Sequence, residues 1–260
     1  MKIRHISMLA VTAMLFSCGS KDYFTIEGTL TGGEGKMITI EEVAPKEIIP
    51  IDTIKLDENG HFVFKYEMPY QSFYNVKVSD ADFVMLLPEN GEVIALTGEY
   101  GRFSPTYQVE GSKGSVLLWQ LNDYSLYGTK RLDSIITAFN DLCKNCNGDT
   151  VCIQKQKPAL DSIFKEAFRE QQDYVVNFLE RNKGSLATLI ALYKMYNGNP
   201  LINPDTEDFA FYEEVADALE KSLPDNKHTI DFRNTVEKKR FQRQQQMEKA
   251  PQVVVNQGNM

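Results

Sequence analysis

The chain is poor in the residues that most often carry chemistry. It has three histidines in 260 residues, and His5 falls inside the leader described below. The remainder cannot build a multi-histidine metal site. Lys and Arg number 28 against 36 Asp and Glu, a formal charge of −8. That balance excludes a general nucleic-acid binder, which needs a basic surface to displace counterions from phosphate. The apolar run near the N-terminus falls short of the roughly 20 residues that span a bilayer. No GxSxG, HExxH or dinucleotide fingerprint occurs. No cofactor is expected. What is present is globular composition, 42% apolar and 25% charged, in a length suited to one or two domains.

The first segment reads as an address. Lys2 and Arg4 form a short positive stretch, and Ile6 to Phe16 is mostly apolar. That run fits the hydrophobic centre of a secretory signal peptide. It ends in Leu15-Phe16-Ser17-Cys18, which resembles the lipobox of bacterial lipoproteins. The resemblance implies a signal peptide over 1–17, lipidation of Cys18 and a tether over 18–22, with the membrane as partner through the anchor. Several acyl chains on one residue hold stably where a single chain does not. Gly19 rather than Asp follows Cys18, so the outer membrane is the default location, with the periplasmic and cell-surface faces both open.

The mature chain changes character once. From Tyr23 to Val109 the period is two: Phe24 and Ile26, Ile38 and Ile40, and Phe62 and Phe64 alternate with polar or outward residues. Gly32-Gly33, Asn59-Gly60 and Asn90-Gly91 mark turns, and Asn-Gly suits a tight hairpin. Seven or eight short strands follow, and with them an antiparallel β-sandwich over 23–110. This stretch is also the acidic one, whereas residues 111–260 are nearly balanced in charge.

From Gly111 the period is 3.6. Leu132, Ile135, Ile136 and Phe139 mark one helix face; Leu160, Ile163, Phe164, Ala167 and Phe168 mark another. Stops fall at Asn182–Ser185, Asn197–Pro200 and Pro224-Asp225. The expected architecture is therefore α+β: the sandwich, then four or five helices over 111–250, then a loose tail over 251–260.

Three cysteines lie between two helical patterns. Cys143-Lys144-Asn145-Cys146 is formally a CxxC. It sits at a helix C-terminus, where the dipole opposes a thiolate, and it lacks the Trp before and Pro within a thioredoxin motif. A structural disulfide is the favoured reading in an exported compartment. Cys143 to Cys152 would staple an αα-hairpin and contribute roughly 2–3 kcal/mol; Cys146 to Cys152 is equally allowed by chain length. Thiol–disulfide exchange through Cys143 and Cys146 is the alternative.

The other candidates have plainer readings. His61 follows the Asn59-Gly60 turn and should be exposed; a grouping with Asp52 and Thr53 is conceivable, but a hairpin tip is a poor place for it. His228, at the start of the last helix, is expected in solvent, as are the Glu41-Glu42 and Glu213-Glu214 pairs. Thr31-Gly32-Gly33-Glu34-Gly35-Lys36 has Leu30 and Met37 where a phosphate loop needs Gly and Ser or Thr, so it reads as a hairpin loop. Tyr23, Tyr66, Tyr70, Phe73, Tyr74, Tyr100, Phe103 and Tyr107 should be mostly core, with a few available for docking. Lys238, Lys239, Arg240 and Arg243 read as a solvated helix face.

One series is more specific than its parts. Phe24-x-Ile26-x-Gly28, Ile51-Asp52-Thr53, Asn59-Gly60-His61-Phe62-Val63-Phe64, Leu86-Leu87-Pro88-Glu89-Asn90-Gly91-Glu92 and Val109-Glu110-Gly111-Ser112 follow in order. The series resembles the uncharacterised N-terminal β-domain of many Bacteroidota lipoproteins. In that family a helical region follows, which Phe178 to Ala187 resembles, and then a thioredoxin-like, peroxiredoxin-related domain. Only nine residues follow Pro251, so the resemblance implies location, β-domain architecture and association with redox partners, and not the redox activity. The expected function is a non-enzymatic, lipid-anchored binding or docking module with a protein partner. Ligand sensing outside the cytoplasm is a further alternative.

Overall fold

The computed structural model describes residues 23–249. The proposed signal peptide, Cys18, the tether and the tail over 251–260 lie outside the described residues.

Alternation drives the N-terminal part. In β1 (Tyr23–Thr31), Phe24, Ile26 and Leu30 turn inward and are fully buried. The same rule builds β2 (Met37–Val43), β3 (Ile48–Lys55), β4 (His61–Glu67), β5 (Phe73–Ser79), β6 (Asp82–Leu86), β7 (Val93–Glu99) and β8 (Gln108–Glu110). They form two four-stranded sheets, β4-β1-β7-β8 and β3-β2-β5-β6. Phe24 sits at the centre of the sandwich, 6.0 Å from the Phe64 ring and 4.9 Å from that of Tyr74.

Two expectations are corrected. The sandwich is not antiparallel throughout: β1 and β7 pair in parallel, with Ile26 opposite Ile94. Alternation is the same for either pairing, so it carries no information on strand direction. Nor is Asn59-Gly60 or Asn90-Gly91 a hairpin turn, because β3 and β4, like β6 and β7, belong to different sheets. At Asn90-Gly91 and at Asn59-Gly60 only the glycine takes a positive φ, +87° and +73°.

β5 explains how the helices attach. Phe73, Tyr74, Asn75 and Val76 are all buried, so both faces of the strand are covered. Tyr74 and Val76 face the sandwich core, whereas Phe73 joins the core of the helices. The molecule is thus three layers deep: sheet, sheet, helices.

After the single turn α1 (Phe103–Thr106), the helical part begins with α2 (Lys113–Asn145) and α3 (Thr150–Arg181). These two long helices form a hairpin turned at Asn147 and Gly148, both at positive φ. Ser112 caps α2 by accepting from the Ser115 amide, and Asp149 caps α3 by accepting from the Val151 amide at 2.9 Å. α4 (Ala187–Leu192), a small hairpin of β9 (Met195–Tyr196) and β10 (Asn199–Pro200), α5 (Phe209–Ser222) and α6 (Lys227–Lys249) complete the unit. Five helices follow Gly111 among the described residues, and the three breaks after α3 contain the expected stops.

The far end of the α2–α3 hairpin stands apart. From Thr137 to Ile163 only Leu142 and Cys146 are buried. The last anchors to the body are Asp133, which accepts from the Tyr196 hydroxyl at 2.8 Å, and the Phe164 ring beside Tyr196.

Candidate functional site

The structure disperses some sequence candidates and gathers others. His61 lies on β4, while Asp52 and Thr53 lie on β3 in the other sheet. The three do not meet. His61 instead lies 3.9 Å from Asp57 at the surface. The glycine-rich stretch 31–36 leads from the end of β1 into β2, but these strands belong to different sheets, so it is a crossover between sheets and not the expected hairpin loop.

The disulfide joins Cys146 to Cys152 and leaves Cys143 as a thiol. Of the two bridges that chain length left open, Cys146–Cys152 is the one formed and Cys143–Cys152 is not, and Cys143 and Cys146 do not form a dithiol pair. Cys146 is the cap residue of α2, and Cys152 lies in the first turn of α3. The bridge spans the reversal itself, whereas Cys143 sits a turn earlier on α2. The bond locks a short loop in a segment with little other packing, worth about 2 kcal/mol by loop entropy. Replacing Cys146 and Cys152 with Ser is expected to speed amide exchange between residues 140 and 155. The main melting transition should hardly move, because the hairpin end can open locally. Hydrogen-exchange mass spectrometry beside calorimetry checks both.

Two polar residues expected in solvent are buried. His228 packs edge-on against the Phe73 ring at 5.0 Å, and its Nε2 lies 3.0 Å from Ser72 Oγ. Asn226 reinforces the joint: its Oδ1 accepts from the His228 amide, and its Nδ2 donates to the Gln71 carbonyl at 2.7 Å. Burial holds the imidazole below its ordinary pKa, with Glu42 and Asp231 pulling the other way. Ser72 and His228 resemble half of a catalytic triad only on paper. Ser72 is wholly buried, so no substrate reaches its hydroxyl.

Glu42 is the second. It is 6% exposed and accepts from the Tyr70 hydroxyl at 2.7 Å. Burial, then that hydrogen bond, pushes Tyr70 up to about 12. Its neighbour Glu41 pairs with Lys77 at 2.9 Å. The pair reads as solvated only while the sheet layers are unknown.

The basic stretch of α6 is likewise committed to structure. Lys239 pairs with Asp205, and Arg240 bonds Glu213 at 2.7 Å. Arg243 donates to the Pro204 carbonyl and lies over the Phe209 ring.

Three clefts open along the seam between sheets and helices. One cleft of 310 Å³ lies between the β2–β3 turn, Tyr70 and the start of α6. A second, of 240 Å³ and mostly polar, opens beside the first turn of α2. A third, of 250 Å³, is made by β6, Tyr107, α2 and Lys194, just past α4. Ligand sites favour such junctions.

The third cleft is unusual in its charge. Lys194 lines it, partly buried, against Phe83, Met85, Leu118 and Ile190. Burial alone lowers the Lys194 amine from its ordinary value. Among the described residues nothing pairs with its ammonium. Tyr107 lines the same cleft, and its hydroxyl is held well above its usual pKa first by burial and then by Asp123. Lys194 was not among the sequence candidates. Its signal is a lone cation inside Leu189-Ile190-Ala191-Leu192-Tyr193-Lys194-Met195-Tyr196, with no acid within the run.

Comparison with known families adds one result. Residues 24–118 match the family described as "Domain of unknown function (DUF4369)". No curated protein and no solved structure matches the chain. The DUF4369 match runs past Glu110 to Leu118, and the geometry explains the overlap. Ser115 Oγ accepts from the Leu87 amide at 3.0 Å, and Ser112 Oγ donates to the Leu87 carbonyl. Trp119 Nε1 donates to the Tyr107 carbonyl at 2.9 Å. The first turns of α2 are physically part of the DUF4369 domain, because its sheet edge is closed by them.

Proposed function

We propose that the protein is a non-enzymatic outer-membrane lipoprotein, tethered through Cys18, that binds a ligand at the seam between its DUF4369 domain and its helices. The observation carrying this reading is the Lys194 cleft. Two structural units jointly wall an apolar space that contains an uncompensated cation. A fold built only for stability gains nothing from that arrangement. Support for the address comes from the ordered positive stretch, apolar run and Cys18. The Cys146–Cys152 bridge fits a compartment outside the cytoplasm. Cys18→Ser is expected to move the protein from the membrane pellet to the soluble fraction and to abolish labelling by radioactive palmitate. Retention in the pellet with label would remove the anchor from the account.

Thiol–disulfide exchange is the second reading, because Cys143 stays a thiol three residues before a bridged cysteine. Titration against glutathione separates the two. A structural bridge has a potential below about −300 mV, whereas catalytic dithiols lie at about −120 to −270 mV. We expect the lower value, with association with redox partners acting through docking alone.

A further inference from the structure

The Lys194 cleft supports a narrower assignment, which rests on the binding reading above. Its polar groups divide into engaged and unengaged ones. Asp82, the first residue of β6 and beside the lining rather than in it, accepts amide hydrogens from Phe103 at 2.9 Å and Ser104 at 2.8 Å, one on each oxygen. Asn122 donates to the Ser104 carbonyl. The Lys194 ammonium and the hydroxyls of Tyr107 and Ser104 remain, and none has a partner among the described residues.

Unengaged donors, one of them a cation, beside an apolar wall define a ligand of two parts. The charged part must be an anion, since an ammonium withdrawn from water without a counter-charge is costly and an incoming anion relieves that cost. The other part must be apolar, to cover Phe83, Met85, Leu118 and Ile190. At 250 Å³ the space lies just below the usual range of about 300–1,000 Å³ for ligand sites, so the molecule is small.

We propose that this cleft binds an apolar-chain carboxylate, anchored by Lys194 with Tyr107 as second donor. The chain of the acid lies along Phe83, Met85, Leu118 and Ile190. The desolvation of Lys194 then has a use: a cation partly stripped of water attracts a carboxylate more strongly than an exposed lysine does.

Calorimetric titration of the full chain carrying Cys18→Ser tests this, with octanoate, octanol and octylamine as probes. Octanoate should bind at least about tenfold more tightly than octanol, the size of one charge-assisted hydrogen bond, and octylamine should not bind. Lys194→Met should erase that preference, bringing octanoate down to the level of octanol. It places an apolar chain against an apolar wall, so the fold is kept, which a thermal melt verifies. Lys194→Arg should retain most of the preference, and Tyr107→Phe should weaken octanoate a few-fold. N-acetyl-leucine forms another arm. Tighter binding than octanoate assigns the carboxylate to a peptide C-terminus, and weaker binding assigns it to a free aliphatic acid. Equal affinity for octanoate and octanol, or octanoate binding indifferent to Lys194→Met, overturns the carboxylate assignment but leaves a binding module. If no probe binds, the assignment fails and the binding reading loses the observation that carries it.

Discussion

Gly111→Ala is expected to destabilise the protein by about 2–5 kcal/mol. Gly111 follows β8 and precedes the Ser112 cap of α2, so it sets the angle at which the helices leave the sheet. Its φ of +82° costs a residue with a side chain roughly 1–2 kcal/mol. The larger cost is contact. A Cβ at this position would lie 2.0 Å from the Val93 carbonyl oxygen, a backbone atom of β7 that cannot swing aside. Moving it disturbs the pairing of β7 with β8 and β1 and adds about 1–3 kcal/mol of overpacking. Gly32→Ala is the matched control. Gly32 has a φ of +75° but nothing within 4 Å of its would-be Cβ, so it should cost only the backbone part. Urea unfolding of both variants separates the two contributions. Equal losses would mean that β7 does not approach Gly111 as closely as described.

His228→Leu is expected to cost about 2–4 kcal/mol and to flatten the acid side of the stability profile. The substitution keeps apolar bulk but leaves Ser72 Oγ without its partner in a wholly buried site, which costs about 1–3 kcal/mol. It also removes the edge-on contact with Phe73, worth about 0.5–1.5 kcal/mol. The pH dependence has a definite sign. Burial lowers the folded pKa of His228 below its ordinary 6.5, despite the opposing pull of Glu42 and Asp231. Between the two values the unfolded chain holds a proton that the folded one refuses, so stability rises with pH there. Wild type should therefore be unaffected by this group above pH 6.5 and lose stability as pH falls from about 6.5 toward the lowered folded value, by up to about 1.4 kcal/mol per pH unit. His228→Leu lacks that loss. The difference between the two profiles, measured by urea unfolding from pH 7.5 to 5, isolates it from the carboxylates common to both.

Much of the architecture was legible because it rests on periodicity. Phe24, Ile26 and Leu30 reveal a strand with one inner face, and the change of period after Gly111 marks the passage to helices. The layers were less legible, since a strand covered on both faces gives no alternation. Phe73-Tyr74-Asn75-Val76 is such a strand, and it alone shows where the helices dock. The parallel register of β1 with β7 joins residues nearly 70 positions apart, and no local rule specifies it. The cysteine pairing was open because both loops were short enough to close.

The buried polar residues were the least legible. Glu42 and His228 are recognisable only after the β5 layer is in place, since their partners Tyr70 and Ser72 come from the β4–β5 connection. Lys194 left a trace, a cation in an apolar run, but its cleft needs β6, Tyr107 and α2 to assemble around it. Function follows the same logic. No compact motif carries it, and the site exists only where two units meet.

The most direct test of that view is amide chemical-shift mapping of the full chain, carrying Cys18→Ser, during titration with octanoate. The shifts should saturate and cluster on Phe83–Met85, Tyr107, Leu118 and Ile190–Lys194. Shifts confined to exposed apolar residues such as Tyr127 and Phe241, or none that saturate, would contradict a ligand site at the seam.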